Sequence, residues 1–278
     1  MFSHTQQALK DILTEECTLH FVKHNTYFIS DLHLGAPSIE QSQHRERKVM
    51  GFLNSIQADC AALYIVGDLF DYWFEYKSVV PRGHSRLLGA LANMADRGMQ
   101  LHIFTGNHDL WMTNYLEEEL GAVVHHQPLK IQLGTSQFYI AHGDGLGPGD
   151  LKYKIIKSVF TSPLCQWLFR QLHPNFAVSF AARMSRASRI SQSDDDHAFL
   201  GDKERQIQHS LSVLDNAKID FFIYGHRHHL KDLPLSHERK NGTKIKSRYV
   251  VLGDWITLNS YAKWDGTKLT TATYSPKR

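Results

Sequence analysis

The sequence has few cysteines and no long apolar run. Its three cysteines, Cys17, Cys60 and Cys165, are odd in number and lack CxxC spacing, which argues against a disulfide framework and against a zinc knuckle. Reduced thiols favour a cytoplasmic protein. No run reaches the roughly 20 apolar residues that span a bilayer, and the first residues lack the apolar stretch of a signal peptide. We therefore expect neither secretion nor a transmembrane helix.

Net charge is also small, and it excludes the strongly basic class of nucleic-acid-binding proteins. The formal charge is +3 over 278 residues, with 42% hydrophobic and 21% charged residues, as in an ordinary globular protein. Histidine, in contrast, is abundant, with 18 residues. Since imidazole is a common metal ligand and acid–base group, the positions of these histidines decide the interpretation.

Short runs rich in Ile, Val, Phe and Tyr are typical of buried strands, and here each run ends in a polar loop. The runs are Tyr27 to Ile29, Leu63 to Val66, Leu101 to Phe104, Phe138 to Ala141 and Phe221 to Tyr224. They lead into SDLHLG, GDLFD, TGNHD, HGDGL and GHRHH. Amphipathic helices are predicted between strands by the spacing of Val49, Phe52, Leu53 and Ile56, of Leu87, Leu88, Leu91 and Met94, and of Ile207, Leu211 and Leu214. This alternation predicts an α/β fold, and the strand-like runs after Arg248 predict a mixed sheet or two packed sheets.

The five loops carry side chains that suit metal ions. Asp31 and His33 are two residues apart, so both can point to the same side of an extended segment, and His226 and His228 repeat this spacing. Three further donors are Asp68, Asn107 and His142. Seven donors exceed the needs of one ion and suit two ions that share a carboxylate, grip a phosphate and activate a water. Carboxylate, imidazole and amide donors without thiolates suit Mn, Fe, Zn, Co or Mg.

In chain order, the motifs D-x-H, G-D-x-x-D, G-N-H-D, H-G-D and G-H-x-H closely resemble those of the calcineurin-like metallophosphoesterase superfamily. The resemblance implies a two-sheet β-sandwich flanked by helices (α/β/β/α). It also implies two divalent metal ions, one bound by Asp31, His33, Asp68 and His228 and the other by Asp68, Asn107, His142 and His226. His108 would then be the catalytic side chain and Asp109 would hold its ring, with Asp71 and Asp144 as partners of the ligands.

One stretch departs from the alternation of strands and helices. From residue 148 to about 192 the chain combines helical spacing with apolar and basic side chains. We expect a helical cap inserted into one domain of residues 1–278. Its candidate substrate contacts are Lys154, Lys157, Trp167 and Arg183. The open alternatives are an ordinary helical subdomain with a solvated basic face and a surface that follows a nucleic-acid backbone.

Within the superfamily, SDLHLG, GDLFDYW, GHRHH and LGDW are most similar to the UDP-2,3-diacylglucosamine pyrophosphatases of lipid A biosynthesis. That resemblance implies manganese-dependent hydrolysis to UMP and 2,3-diacylglucosamine 1-phosphate. The cap would hold acyl chains, and it could contact an anionic membrane surface on the inner face of the cytoplasmic membrane. The best-known branch of the family has GNRD where this chain has GNHD, so His108 replaces an arginine and the mode of phosphate binding stays open. A nucleotide phosphodiesterase or nuclease, and a non-catalytic scaffold, are the alternatives.

Overall fold

Two β-sheets form the centre of the computed structural model, which describes residues 25–149, 151–180, 183 and 199–276. The first sheet has the order β11-β10-β1-β2-β3-β4, with β1 Asn25–Ile29, β2 Cys60–Val66, β3 Gln100–Phe104, β4 Val123–His125, β10 Ser260–Trp264 and β11 Leu269–Thr273. The second has the order β5-β6-β7-β9-β8, with β5 Leu129–Leu133, β6 Ser136–Ala141, β7 Phe221–Tyr224, β8 Leu230–Glu238 and β9 Lys244–Leu252.

Both sheets are mixed, which confirms the predicted class. Strands β1 to β4 run parallel, and β10 and β11 join them antiparallel. In the second sheet β6, β7 and β9 are parallel, while β5 and β8 pair antiparallel at the two edges. Because successive parallel strands need a crossover connection, helices alternate with them along the chain.

Helices lie outside the two sheets, with the bounds α1 Ile39–Ile56, α2 Ser85–Asp96, α3 Tyr115–Leu120, α4 Leu151–Phe160, α5 Pro163–Arg170 and α6 Arg205–Leu214. Helices α1, α2, α3 and α6 cover the outer faces of the sheets, whereas α4 and α5 bury none of their side chains. One apolar core joins the first sheet to α1, α2 and α3, and another joins the second sheet to α6. A third core lies between the sheets, where the rings of Phe28 and Phe138 stack with centroids 6.0 Å apart. These layers confirm the α/β/β/α arrangement.

All five predicted strands are present in the structure. The structure differs from the prediction at the ends of these strands and in short elements that were not predicted. Strand β4 has three residues, of which Val123 is exposed, so it carries no alternating signal. Residues 151–180 contain α4, α5 and a helical stretch at 174–180, as expected for helical material. The remainder of the predicted cap, with Arg186 and Arg189, lies outside the described residues. Among the described helices, none is long and apolar enough to cross a membrane.

Candidate metal centre

The predicted donors lie where parallel strands end. Asp31 and His33 follow β1, Asp68 follows β2 and Asn107 follows β3, all in the first sheet. His142 follows β6, and His226 and His228 follow β7, in the second sheet. Carboxyl ends of parallel strands meet at one edge of a sheet, and here the edges of both sheets meet. The fold therefore brings residues up to about two hundred positions apart into one place.

The backbone of this place is strained. Asp31, His33, Asp68, His226 and His228 have φ angles of 56°, 44°, 50°, 71° and 53°. These are five of the seven non-glycine residues with positive φ in the described chain. Each costs roughly 1–3 kcal/mol and persists only where its surroundings hold it. Such clustering is typical of a functional site.

Two glycines allow the loops to approach one another. A Cβ on Gly225 would lie 1.9 Å from Ser30 Oγ and 2.8 Å from Asp31 Oδ2. A Cβ on Gly106 would lie 2.1 Å from Asp68 Oδ1. Any larger residue would displace the two carboxylates, so both positions require glycine for steric reasons.

The first group of donors contains Asp31, His33 and His228. His228 Nε2 lies 3.2 Å from Asp31 Oδ1 and 3.1 Å from His33 Nε2. Donors at about 2.1 Å from one ion lie roughly 3.0–3.4 Å apart, which these distances match. Asp31 Oδ1 is buried and has no hydrogen-bond partner among the described residues. A divalent cation would satisfy this oxygen.

The second group contains Asp68, His142 and His226, with Asn107 beside them. His142 Nε2 lies 3.3 Å from Asp68 Oδ2 and 3.3 Å from Asn107 Oδ1. One ligand atom of each of the three acidic or imidazole members lies within 4.8 Å of the others. The donor types and spacing again fit a divalent cation.

Asp68 faces both groups. Its Oδ2 lies 3.6 Å from His33 Nε2 in the first group and 3.3 Å from His142 Nε2 in the second. Its Oδ1 accepts a 2.9 Å hydrogen bond from the backbone N–H of His108. One carboxylate oxygen is thus held between two sets of donors, as a shared metal ligand would be.

The family follows from the sequence comparison. The sequence model of the family described as calcineurin-like phosphoesterase matches residues 24–230. The chain belongs to this family. As a metallophosphoesterase it is a hydrolase, and its clustered Asp and His side chains fit the divalent metal ions that the family implies.

Relatives of this phosphoesterase include a UDP-2,3-diacylglucosamine hydrolase of Porphyromonas gingivalis, which is 38% identical over an alignment of 258 residues that covers 87% of this chain and 95% of the relative. A UDP-2,3-diacylglucosamine hydrolase of Tolumonas auensis is 25% identical over 86% of this chain and 92% of the relative. Among solved structures, Yfce, a phosphoesterase from E. coli, is similar with a TM-score of 0.41 and 15% identity, covering 90% of this chain and 92% of that one.

The buried aspartates and histidines of the phosphoesterase site shift one another's pKa values. Burial alone would raise the pKa of Asp31, but His228 and His33 hold this pKa well below its usual range. Asp68 behaves in the same way, since His142, His108 and His33 outweigh the effect of burial and lower its pKa. Burial disfavours the charged form of His142, yet Asp68 raises the pKa of this histidine to about 10. Both carboxylates therefore stay ionised, as metal ligands must be.

The structure corrects the expectation for Asp109. We expected this residue to hold the ring of His108, but its oxygens accept backbone hydrogen bonds from Gly106 at 2.7 Å and Phe70 at 3.1 Å. His108 Nδ1 instead lies 3.3 Å from the Asp71 carbonyl oxygen and 3.7 Å from Asp71 Oδ1. Asp109 fixes the backbone of its loop, because unpaired amides in this buried place would be costly.

Two of the expected substrate contacts have partners within the protein. Lys157 Nζ donates a 2.6 Å hydrogen bond to Asp144 Oδ2, which also accepts from the Tyr153 hydroxyl. Lys154 Nζ donates to the Gly147 carbonyl at 2.6 Å. Both lysines thereby join α4 to the loop after His142. The other two expected contacts are exposed. Trp167 is 57% exposed, and Arg183 is exposed as well, although the residues next to it in the chain lie outside the described part.

Sequence reasoning missed Arg45. Its Nη1 donates to the carbonyl oxygens of Leu32, His33 and Ala36 at 3.0, 2.7 and 3.2 Å, and so holds the loop after β1. Only 5% of Arg45 is exposed. The sequence did contain a signal for a buried, paired arginine. Arg45 lies four residues before Val49, on the buried face of an amphipathic helix, where an unpaired charge is rare.

Proposed function

We propose that this phosphoesterase hydrolyses the pyrophosphate bond of UDP-2,3-diacylglucosamine, releasing UMP and 2,3-diacylglucosamine 1-phosphate. The observation that carries the proposal is the relative of that name, whose identity of 38% extends over 95% of its length. A shared fold alone would not support a substrate, since one fold serves many functions. Here the full set of seven donors is present beside His108.

Two divalent ions, Mn²⁺ in our proposal, fit the two groups of donors. One ion would be held by Asp31, His33, Asp68 and His228, and the other by Asp68, Asn107, His142 and His226. When bound, such ions polarise phosphate oxygens and make a water a competent nucleophile near neutral pH. Protein residues then need only to bind, orient and exchange protons with the substrate.

His108 is the side chain that we assign to proton exchange with the leaving oxygen. The ring packs edge-on against His33, with centroids 4.8 Å apart. Because a carbonyl oxygen only accepts, the contact with Asp71 assigns the proton to Nδ1, and Nε2 would exchange a proton with the substrate. Asp71, not Asp109, would set the orientation of this ring, and Asp109 would keep the loop in place.

The helical segment supports an acylated substrate. Its described residues expose an unusual amount of apolar surface. Side chains at least half exposed are those of Leu151, Ile155, Ile156, Val159, Leu164, Trp167, Leu168 and Phe176. We propose that residues 148–192 are a cap, that this apolar surface receives acyl chains, and that its basic residues contact anionic lipid on the cytoplasmic side of the membrane. Lys154 and Lys157 would hold α4 in place and would not contact the lipid.

Release of UMP from UDP-2,3-diacylglucosamine by the purified protein with Mn²⁺ tests the proposal, with Asp68→Ala as the inactive control. UMP formed only by the unchanged protein supports both substrate and site. No UMP, with turnover of a chromogenic phosphodiester retained, would contradict the substrate and favour nucleotides or nucleic acids. Co-sedimentation with vesicles containing phosphatidylglycerol, compared with neutral vesicles, tests the membrane contact.

A further inference from the structure

Helix α6 begins directly behind the loops that carry His142, His226 and His228. Glu204, the residue immediately before this helix, makes a two-pronged ion pair with Arg227, which lies between two of these histidines. Glu204 Oε1 lies 3.0 Å from Arg227 Nε, and Glu204 Oε2 accepts a hydrogen bond from Arg227 Nη2 at 3.3 Å. Glu204 is buried, with 3% of its surface exposed.

Gln206, in the first turn of α6, makes the second contact. Its Nε2 donates to the Gly225 carbonyl at 3.1 Å, and its Oε1 accepts from the Tyr249 hydroxyl at 2.7 Å. A Cβ on Gly143 would lie 2.1 Å from Gln206 Nε2. The amide of Gln206 therefore fills the space between the loop after β6 and the loop after β7.

Gly225 connects these contacts to the histidines. Its N–H donates to the His142 carbonyl at 3.0 Å, and its carbonyl accepts from both Arg227 N at 2.9 Å and Gln206. His226 and His228 on either side of Arg227 both have positive φ. Backbone of this kind persists only where several contacts determine it, and Glu204 and Gln206 supply such contacts.

We propose that Glu204, Gln206 and Arg227, here called the loop clamp, are positioning residues for the metal centre. The loop clamp holds the backbone on either side of Arg227 so that the rings of His226 and His228 meet the buried carboxylates. It acts through these histidines and not on the substrate. The inference rests on the proposed function only in requiring that these histidines bind metal.

The double variant Glu204→Gln with Arg227→Gln tests the loop clamp, since it removes the ion pair without leaving one buried charge. Its matched control is Asp232→Asn with Arg248→Gln, which removes another two-pronged ion pair, between β8 and β9. Arg248 lies level with Phe221 in the sheet, at the end of β7 away from the histidines. Affinity for Mn²⁺ is measured by titration against a chelator, together with the melting temperature of the metal-free protein. We expect the dissociation constant of the double variant to rise about 10–100-fold, with wild-type affinity in the control.

Excess metal should restore kcat in the double variant, because positioning affects the occupancy of the site. Wild-type affinity in the double variant, or an equal loss in the control, would overturn the proposal. If the double variant does not fold, Gln206→Met and Tyr249→Phe replace it, and both should weaken Mn²⁺ binding, the second less. Unchanged binding in both would also overturn the loop clamp. Absence of metal binding by the wild type would instead contradict the proposed function.

Discussion

Replacing Gly106 by alanine places a methyl group against the carboxylate that faces both groups of donors. The added Cβ would lie 2.1 Å from Asp68 Oδ1 and 2.5 Å from the Asp68 backbone nitrogen. Restoring an ordinary contact requires Asp68 to move by roughly 1 Å, and a misplacement of that size in an active site can cost about 100-fold in rate. This corresponds to about 2.8 kcal/mol at about 1.4 kcal/mol per factor of ten. We expect kcat/KM to fall, and the Mn²⁺ dissociation constant to rise, by about this factor.

Gly89→Ala is the matched control for Gly106→Ala. Gly89 lies inside α2, and a Cβ there would meet nothing within 4 Å. Alanine should therefore stabilise the helix by roughly 0.5–1 kcal/mol and leave metal binding unchanged. The assay combines turnover of a chromogenic phosphodiester, chelator competition and urea unfolding of the metal-free proteins. Wild-type turnover and affinity in Gly106→Ala would refute the assignment of Asp68 as a shared ligand.

Three further predictions test other parts of the molecule. His108→Ala should lower kcat by about 100-fold or more while metal content, measured by atomic emission, stays at the wild-type level, and parallel loss of metal would refute its role in proton exchange. Trp167→Glu should raise KM for the acylated substrate without changing metal binding, whereas Ile39→Glu, at an even more exposed apolar position on α1, should leave KM unchanged, and equal effects would contradict the cap. Burial, with a smaller effect of His125, lowers the pKa of His102 to about 4. In the unfolded chain His102 binds a proton near pH 6.5, whereas in the folded protein it does so only near pH 4. The free energy of unfolding therefore contains a contribution from neutral His102 that is fully present above pH 6.5 and is lost as the pH falls towards 4, by at most about 1.4 kcal/mol per pH unit. Urea unfolding of the metal-free proteins at pH 7 and pH 5 measures this effect. Between these two pH values His102→Phe should lose less free energy of unfolding than the wild type, and an equal loss would contradict the role of buried His102.

The strands, and the polar side chains that cluster at their ends, could be predicted from the sequence because their signals are local. A run such as Leu63 to Val66 followed by Gly67 and Asp68 contains the strand, the turn and the clustered aspartate within six positions. Helix α1 was similarly evident from the spacing of Val49 and Phe52, which are buried in the structure.

The partners of the ligands could not be predicted, because they depend on contacts between distant segments. Asp109 is next to His108 in the chain, yet its carboxylate bonds to the amide of Phe70, and the ring of His108 meets Asp71. The loop clamp joins Glu204 to Arg227, which are separated in the chain by helix α6, strand β7 and two loops. The order of strands within a sheet is subject to the same limit, since β10, from the C-terminal part of the sequence, pairs with β1, the first strand in chain order.

The donors come from both sheets, and this arrangement has a consequence for folding. Asp31 follows a strand of the first sheet and His228 a strand of the second, and the two sheets pack through an apolar core, beside which Arg248 of β9 donates to the Leu269 carbonyl of β11. An ion held by ligands from both sheets is a cross-link between two halves of the molecule. By linkage it stabilises only the state in which the sheets are already docked. Bound metal would then raise the free energy of unfolding of the docked sandwich, and a metal-starved protein would lose this cross-link between its sheets.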